Sequence, residues 1–161
     1  MQSVDKMLQR VSGVMRVAAC LSVLAMVLVT VTDITGRVQR SPIFGSEEIV
    51  AFLGVLALGL GLPYAHAHRS HIGVEVFVQL LSMRVRRVLK LFRETMSVFF
   101  FALVTTMMTA YARDKQLSGE VSLNLGLPEY VLVYVLAGCF AVTTLVMLYD
   151  LIRFVLEWRR S

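Results

Sequence analysis

Residues 130–149 read Tyr130-VLVYVLAGCFAVTTLVML-Tyr149, an unbroken run without a charged side chain. A helix needs about 20 mostly apolar residues to cross a hydrocarbon core roughly 30 Å thick. Working outward, three more uncharged runs have the same character: Val17 to Thr32, Ile49 to Ala65 and Thr95 to Ala112. Each reaches spanning length once flanking long side chains snorkel to the interface. The chain reads as an all-α membrane protein with four transmembrane helices, over about 11–35, 47–66, 90–112 and 129–151. At 161 residues and 57% hydrophobic, it is a single integral membrane domain with little left over for a soluble one.

Positive charge sets the expected orientation. A pI near 9.6 in a soluble protein points to nucleic acid, but here no nucleic-acid partner is needed to explain it. Twelve of the sixteen Lys and Arg residues fall in three segments that share one side of a four-span chain. These are the N-terminal part (Lys6, Arg10, Arg16), the second connection (Arg69, Arg84, Arg86, Arg87, Lys90, Arg93) and the C-terminal tail (Arg153, Arg159, Arg160). The other side has Arg37, Arg40, Arg113 and Lys115 among six carboxylates. The positive-inside rule then puts both termini in the cytoplasm.

A processing signal and cysteine chemistry both fail. Val17 to Cys20 resembles a lipoprotein cleavage box, but the apolar stretch follows that cysteine instead of preceding it. Cys20 and Cys139 both lie within spans and form no CxxC pair, so neither a disulfide nor metal chemistry is indicated.

The connections carry the remaining information. Gly36 to Ser46 is a short turn with Pro42 and Gly45. Ser46 reads as an N-cap, with Glu47 and Glu48 in the first helical turn where carboxylates favour the helix dipole. Capping and an intersubunit contact both fit this acidic pair. Arg16 and Asp33, near opposite ends of the first span, fit snorkelling to the interface. The second helix repeats Ala57, Gly61 and Ala65 at intervals of four, with Gly54 and Gly59 nearby and Pro63 loosening its far end. Two uses fit that stripe: packing within the bundle and packing on a partner. In the next connection Val74, Phe77, Leu81, Val85, Val88 and Phe92 form one helical face opposite Arg86, Lys90 and Arg93. This predicts an amphipathic interfacial helix over about 72–83 on the cytoplasmic leaflet, broken near Ser82 and Met83, with Arg84, Arg86, Arg87, Lys90 and Arg93 facing anionic lipid. Docking of a soluble partner is the alternative there. Before the last span, Gly126-Leu127-Pro128 ends the loop, and Tyr130 and Tyr134 suit one membrane interface as Trp158 suits the other.

Catalytic chemistry is sparse. His66, His68 and His71 cluster at one membrane edge, without a Cys or an acidic group beyond Glu75 to complete a metal site. A transmembrane haem wants ligands facing each other from two helices. A proton-coupled carrier ordinarily needs an acid at mid-membrane, and the middles of all four spans are free of Asp, Glu, Lys, Arg and His. No span has the Gly/Pro-broken midplane of a secondary transporter.

At this point the sequence resembles a known family. Gly36-Arg37, Pro42, Ser46-Glu47-Glu48, the Gly-rich span to Gly61 and His71-Ile72-Gly73-Val74-Glu75 are similar to the small membrane subunit of tripartite ATP-independent periplasmic (TRAP) transporters. Glu75 stands where that pattern has Asp, and Gly126-Leu127-Pro128 also fits it. The resemblance implies a non-catalytic subunit of the bacterial inner membrane, with no cofactor of its own. It implies a large membrane subunit that binds sodium ions and substrate, and a periplasmic binding protein that delivers a carboxylate. The small subunit then extends the static scaffold of an elevator. On this reading the interface candidates are Arg37, Glu47, Glu48, Gly54, Ala57, Gly61, Ala65 and His71. The alternatives are a self-contained homo-oligomeric exporter or channel, and a membrane enzyme or electron carrier using the histidines.

Overall fold

A computed structural model describes residues 2–67 and 83–159 of the chain. Among the described residues there are four helices: α1 Gln2–Val38, α2 Ser46–Ala67, α3 Met83–Ser118 and α4 Glu129–Arg159. All four contain stretches long and apolar enough to span a membrane. Inside a bilayer only a helix or a closed barrel satisfies its own backbone polar groups, so an uncharged run of this length has one local outcome.

The helices overrun those uncharged runs. At about 1.5 Å per residue, α1 and α3 are each on the order of 55 Å long, well beyond the hydrocarbon thickness. Nothing stops them at the membrane boundary. Lys6, Leu8, Gln9 and Arg10, like Arg86, Arg87 and Lys90, are good helix formers, and neither stretch contains proline. The basic cluster from Arg86 to Arg93 therefore stands on the first turns of α3 itself. The amphipathic helix expected over 72–83, with His71 beside it, lies outside the described residues.

Helix α1 packs on α2, α2 on α4, and α4 on α3, which orders the helices 1-2-4-3 as an open row instead of a closed bundle. Small residues set the close approaches, as expected where lipid removes any hydrophobic drive between helices. At the α2–α4 seam, a Cβ added to Gly59 would come within 2.8 Å of Leu136 Cδ1 and 3.4 Å of Cys139 Cβ. At the α3–α4 seam, Phe101 meets Phe140 with centroids 5.9 Å apart and ring planes tilted by 47°, and the Thr105 and Thr144 hydroxyls meet at 3.4 Å. Thr143 is fully buried on α4 and returns its hydroxyl to the Cys139 carbonyl. Only α4 and α2 have neighbours on both sides in this row, so among the described residues nothing covers either broad face of the layer.

The turn after α1 is closed by a Schellman-type pattern. Ser41 N–H donates to the Gly36 carbonyl at 2.8 Å, with Arg40 in the left-handed region at φ 58°. The chain folds back so closely that a Cβ at Gly36 would run into the Ser41 carbonyl oxygen.

Candidate subunit interface

The two ends of the row differ in chemistry. One end holds the α1–α2 and α3–α4 loops; the other holds the start of α1, the end of α2, the start of α3 and the end of α4.

At the loop end, two carboxylates each gather a loop. Asp33 is buried on α1; one of its oxygens accepts from Arg37 Nε at 2.7 Å, the other from the Ile43 backbone N–H at 3.0 Å. Arg37 also reaches Glu47 at 3.4 Å. The Asp33–Arg37 spacing of four is the ordinary helical ion pair, and the pair extends here into the turn ahead of α2. Glu48 performs the same service for the distant loop. Its carboxylate accepts from Ser122 Oγ at 2.7 Å and from the backbone N–H groups of Asn124 at 2.8 Å and Leu125 at 3.0 Å. Ser122 Oγ in turn accepts from Leu127 N–H at 3.2 Å.

The start of α2 differs from the expected Ser46 cap. Glu48 and Ile49 N–H groups donate to the Gly45 carbonyl, so the first turn closes on Gly45. Ser46 is buried, and its side chain turns toward Asp33. Gly45 has φ 73°, and a Cβ there would come within 2.7 Å of the Leu125 side chain. The contact of Leu125 with Gly45 and the grip of Glu48 thus press the two loops together.

Lys115 near the end of α3 pairs with Glu120 and, at 3.0 Å, with Glu129 at the start of α4. The Lys115 ammonium beside Glu120 holds that carboxyl below the usual carboxylate range. Tyr134 hydroxyl donates to Gln116 Oε1 at 3.2 Å and ties α4 to α3 at the same level.

At the opposite end, Arg16 on α1 donates to the Tyr64 hydroxyl at 2.9 Å and lies 4.7 Å from its ring centroid. His66 Nε2 stands 3.7 Å from Asp150, and Lys90 lies over the Phe154 ring at 4.3 Å. Arg93 pairs with Glu94 at 2.9 Å, while Arg86 and Arg87 are exposed. For Arg84 the helix is described but its side chain lies outside the described residues.

The small residues of α2 divide by role. Gly54 faces Met26 of α1, and Gly59 takes up the close approach to α4. A Cβ at Gly61 would meet nothing within 4 Å, and Ala65 is exposed, with Ala57 half-buried. The bundle itself therefore uses Gly54 and Gly59, leaving Gly61 and Ala65 open. On α1 the uncovered side is continuous, with Leu21, Leu24, Leu28 and Val31 all exposed.

Sequence reading gave Asp33 no role in holding a loop and did not single out Ser122. The i,i+4 carboxylate–guanidinium spacing was a usable signal for Asp33. None existed for Ser122, whose partner lies 74 positions away.

Fold and composition define a class: a multi-pass, all-helical membrane protein whose helices form an open layer. A family model described as "Tripartite ATP-independent periplasmic transporters, DctQ component" matches residues 26–157. The chain belongs to this family, the small membrane subunit of TRAP transporters. A search of curated proteins found no match.

Proposed function

We propose that this small TRAP subunit is non-catalytic and lies with one broad face of its helical layer against the large membrane subunit, widening that subunit's static scaffold. The large subunit binds sodium ions and moves a carboxylate substrate by an elevator motion. A periplasmic binding protein delivers the substrate to the loop end, and both termini are cytoplasmic. The observation that carries this reading is the open 1-2-4-3 row, whose apolar helix faces have no internal partner among the described residues. Family membership supports the identity of the partners, and the charge asymmetry supports the orientation. Gly61 and Ala65, which the bundle does not use, are suited to close packing on a partner helix.

Co-expression with the adjacent large membrane protein, with a tag on this chain alone, tests the proposal. A stable one-to-one complex after detergent extraction, active in sodium-dependent uptake with the cognate binding protein, is the expected result. Recovery of a homo-oligomer without a large partner, or substrate uptake by proteoliposomes holding this chain alone, overturns it.

A further inference from the structure

Beyond the helix faces, the layer carries a groove of about 640 Å³ on the α3–α4 side near the loop end. Thr105, Thr109 and Ala110 of α3 are among its lining residues, with Tyr134 of α4 and, at its polar end, Arg113 and Asp114. The groove has a simple origin. Small side chains recur on one face of α3 at positions 105, 106, 109 and 110, and α4 stands beside them with a large aromatic ring. The threonine hydroxyls are already committed to backbone carbonyls: Thr105 to Phe101, Thr106 to Leu103 and Thr109 to Thr105. Toward the membrane interior the groove therefore presents methyl groups and asks for no hydrogen bonds.

Its polar end is different. Arg113 and Asp114 are the first charged residues after the uncharged run from Thr95 to Ala112, so they stand where the hydrocarbon gives way to headgroups. Both are exposed, and neither makes an ion pair or hydrogen bond among the described residues. In this they differ from Lys115, the next charge along, which is held by Glu120 and Glu129. Tyr134, fixed by its bond to Gln116, adds an aromatic ring at interface depth.

We propose that this groove seats one phospholipid with a zwitterionic, primary-amine headgroup, a phosphatidylethanolamine, from the leaflet on the loop side. The guanidinium of Arg113 takes the phosphate, to which its planar fork of donors is matched. The Asp114 carboxylate takes the ammonium, and an acyl chain runs along the methyl-lined floor past Ala110 and Thr105. The adjacent opposite charges select the headgroup: phosphatidylglycerol brings no cation for Asp114, and phosphatidylcholine brings a cation without N–H donors. The volume is within the range of sites that hold small organic ligands. This inference stands on the groove alone and is independent of the transporter reading.

Native mass spectrometry of the full chain in detergent, titrated with phosphatidylethanolamine, phosphatidylcholine and phosphatidylglycerol of the same acyl chains, tests it. One phosphatidylethanolamine should be retained with about tenfold preference, the effect of one charge-assisted hydrogen bond. R113A should lose retention of all three lipids, and D114N should erase the preference while keeping a bound phospholipid. T109L keeps both charges and fills the floor, so it should also lose the lipid, which covers the case in which R113A does not fold. R40A, a charge removed at the same end but outside the groove, should change nothing. Equal retention of the three lipids by the unaltered chain overturns the proposal. So does undiminished phosphatidylethanolamine binding in R113A and T109L.

Discussion

Glu48, on the first turn of α2, closes its carboxylate on Ser122 Oγ at 2.7 Å, joining positions 74 residues apart. With the Asn124 and Leu125 amides on the same carboxylate, one side chain holds the middle of the α3–α4 loop to α2. Glu48→Ala should therefore raise hydrogen exchange at the Asn124 and Leu125 amides about tenfold, with the four helices still inserted. Glu48→Gln should rescue only part of this, since an amide offers a single acceptor oxygen. Uptake by the assembled transporter should fall with Glu48→Ala, and with Arg37→Ala through loss of the Asp33 and Glu47 contacts. Unchanged exchange and uptake would return both residues to ordinary surface charge.

Two glycines on one helix should behave oppositely. Gly59→Leu drives side-chain atoms into Leu136 and Cys139 and should cost about 1–3 kcal/mol of bundle stability, read as earlier unfolding in a detergent melt. Gly61→Leu meets open space and should leave that melt unchanged. If the Gly61 face packs on the large subunit, the same substitution should abolish co-purification. A Gly61→Leu chain that co-purifies normally would remove this face from the interface.

The loop end should loosen in acid. Glu120 is held below its ordinary value of 4.5 by the Lys115 ammonium, so its contribution to order is fully present above that value. It is lost as pH falls through the depressed, folded-state value. Amide exchange in the segment between α3 and α4, corrected for intrinsic rates, should rise on acidification below about pH 4.5. Glu120→Gln should remove the step at Glu120 while leaving the Glu48 contacts in place. A profile identical in the two proteins would rule out Glu120 as its source.

Arg40 occupies the left-handed position after α1 that glycine usually fills. Arg40→Gly should relieve strain of about 1 kcal/mol and raise the melting temperature slightly. A fall would mean that the arginine side chain is worth more than the backbone relief.

Reversing charge at Arg86, Arg87 and Lys90 should disturb assembly or topology, because each basic residue near an anionic surface is worth about 1 kcal/mol. Normal yield and unchanged accessibility of tags at both termini would count against anchoring.

The sequence by itself determined the four helices. Backbone hydrogen bonds inside lipid are local, and runs such as Tyr130 to Tyr149 leave a single way to satisfy them. The motifs around Arg37, Glu47 and Glu48 were legible too, and they led to the family that the match over residues 26–157 shows. The lateral order of the helices was not legible, because apolar helices in lipid carry no amphipathic stripe to say which faces meet. Only the tertiary structure assigned Gly59 to the α4 seam and left Gly61 open. It alone turned Glu48 from a dipole-favouring carboxylate into the clasp of a loop more than seventy residues away, because such a contact depends on how α2 and α4 are docked and on nothing written near either residue.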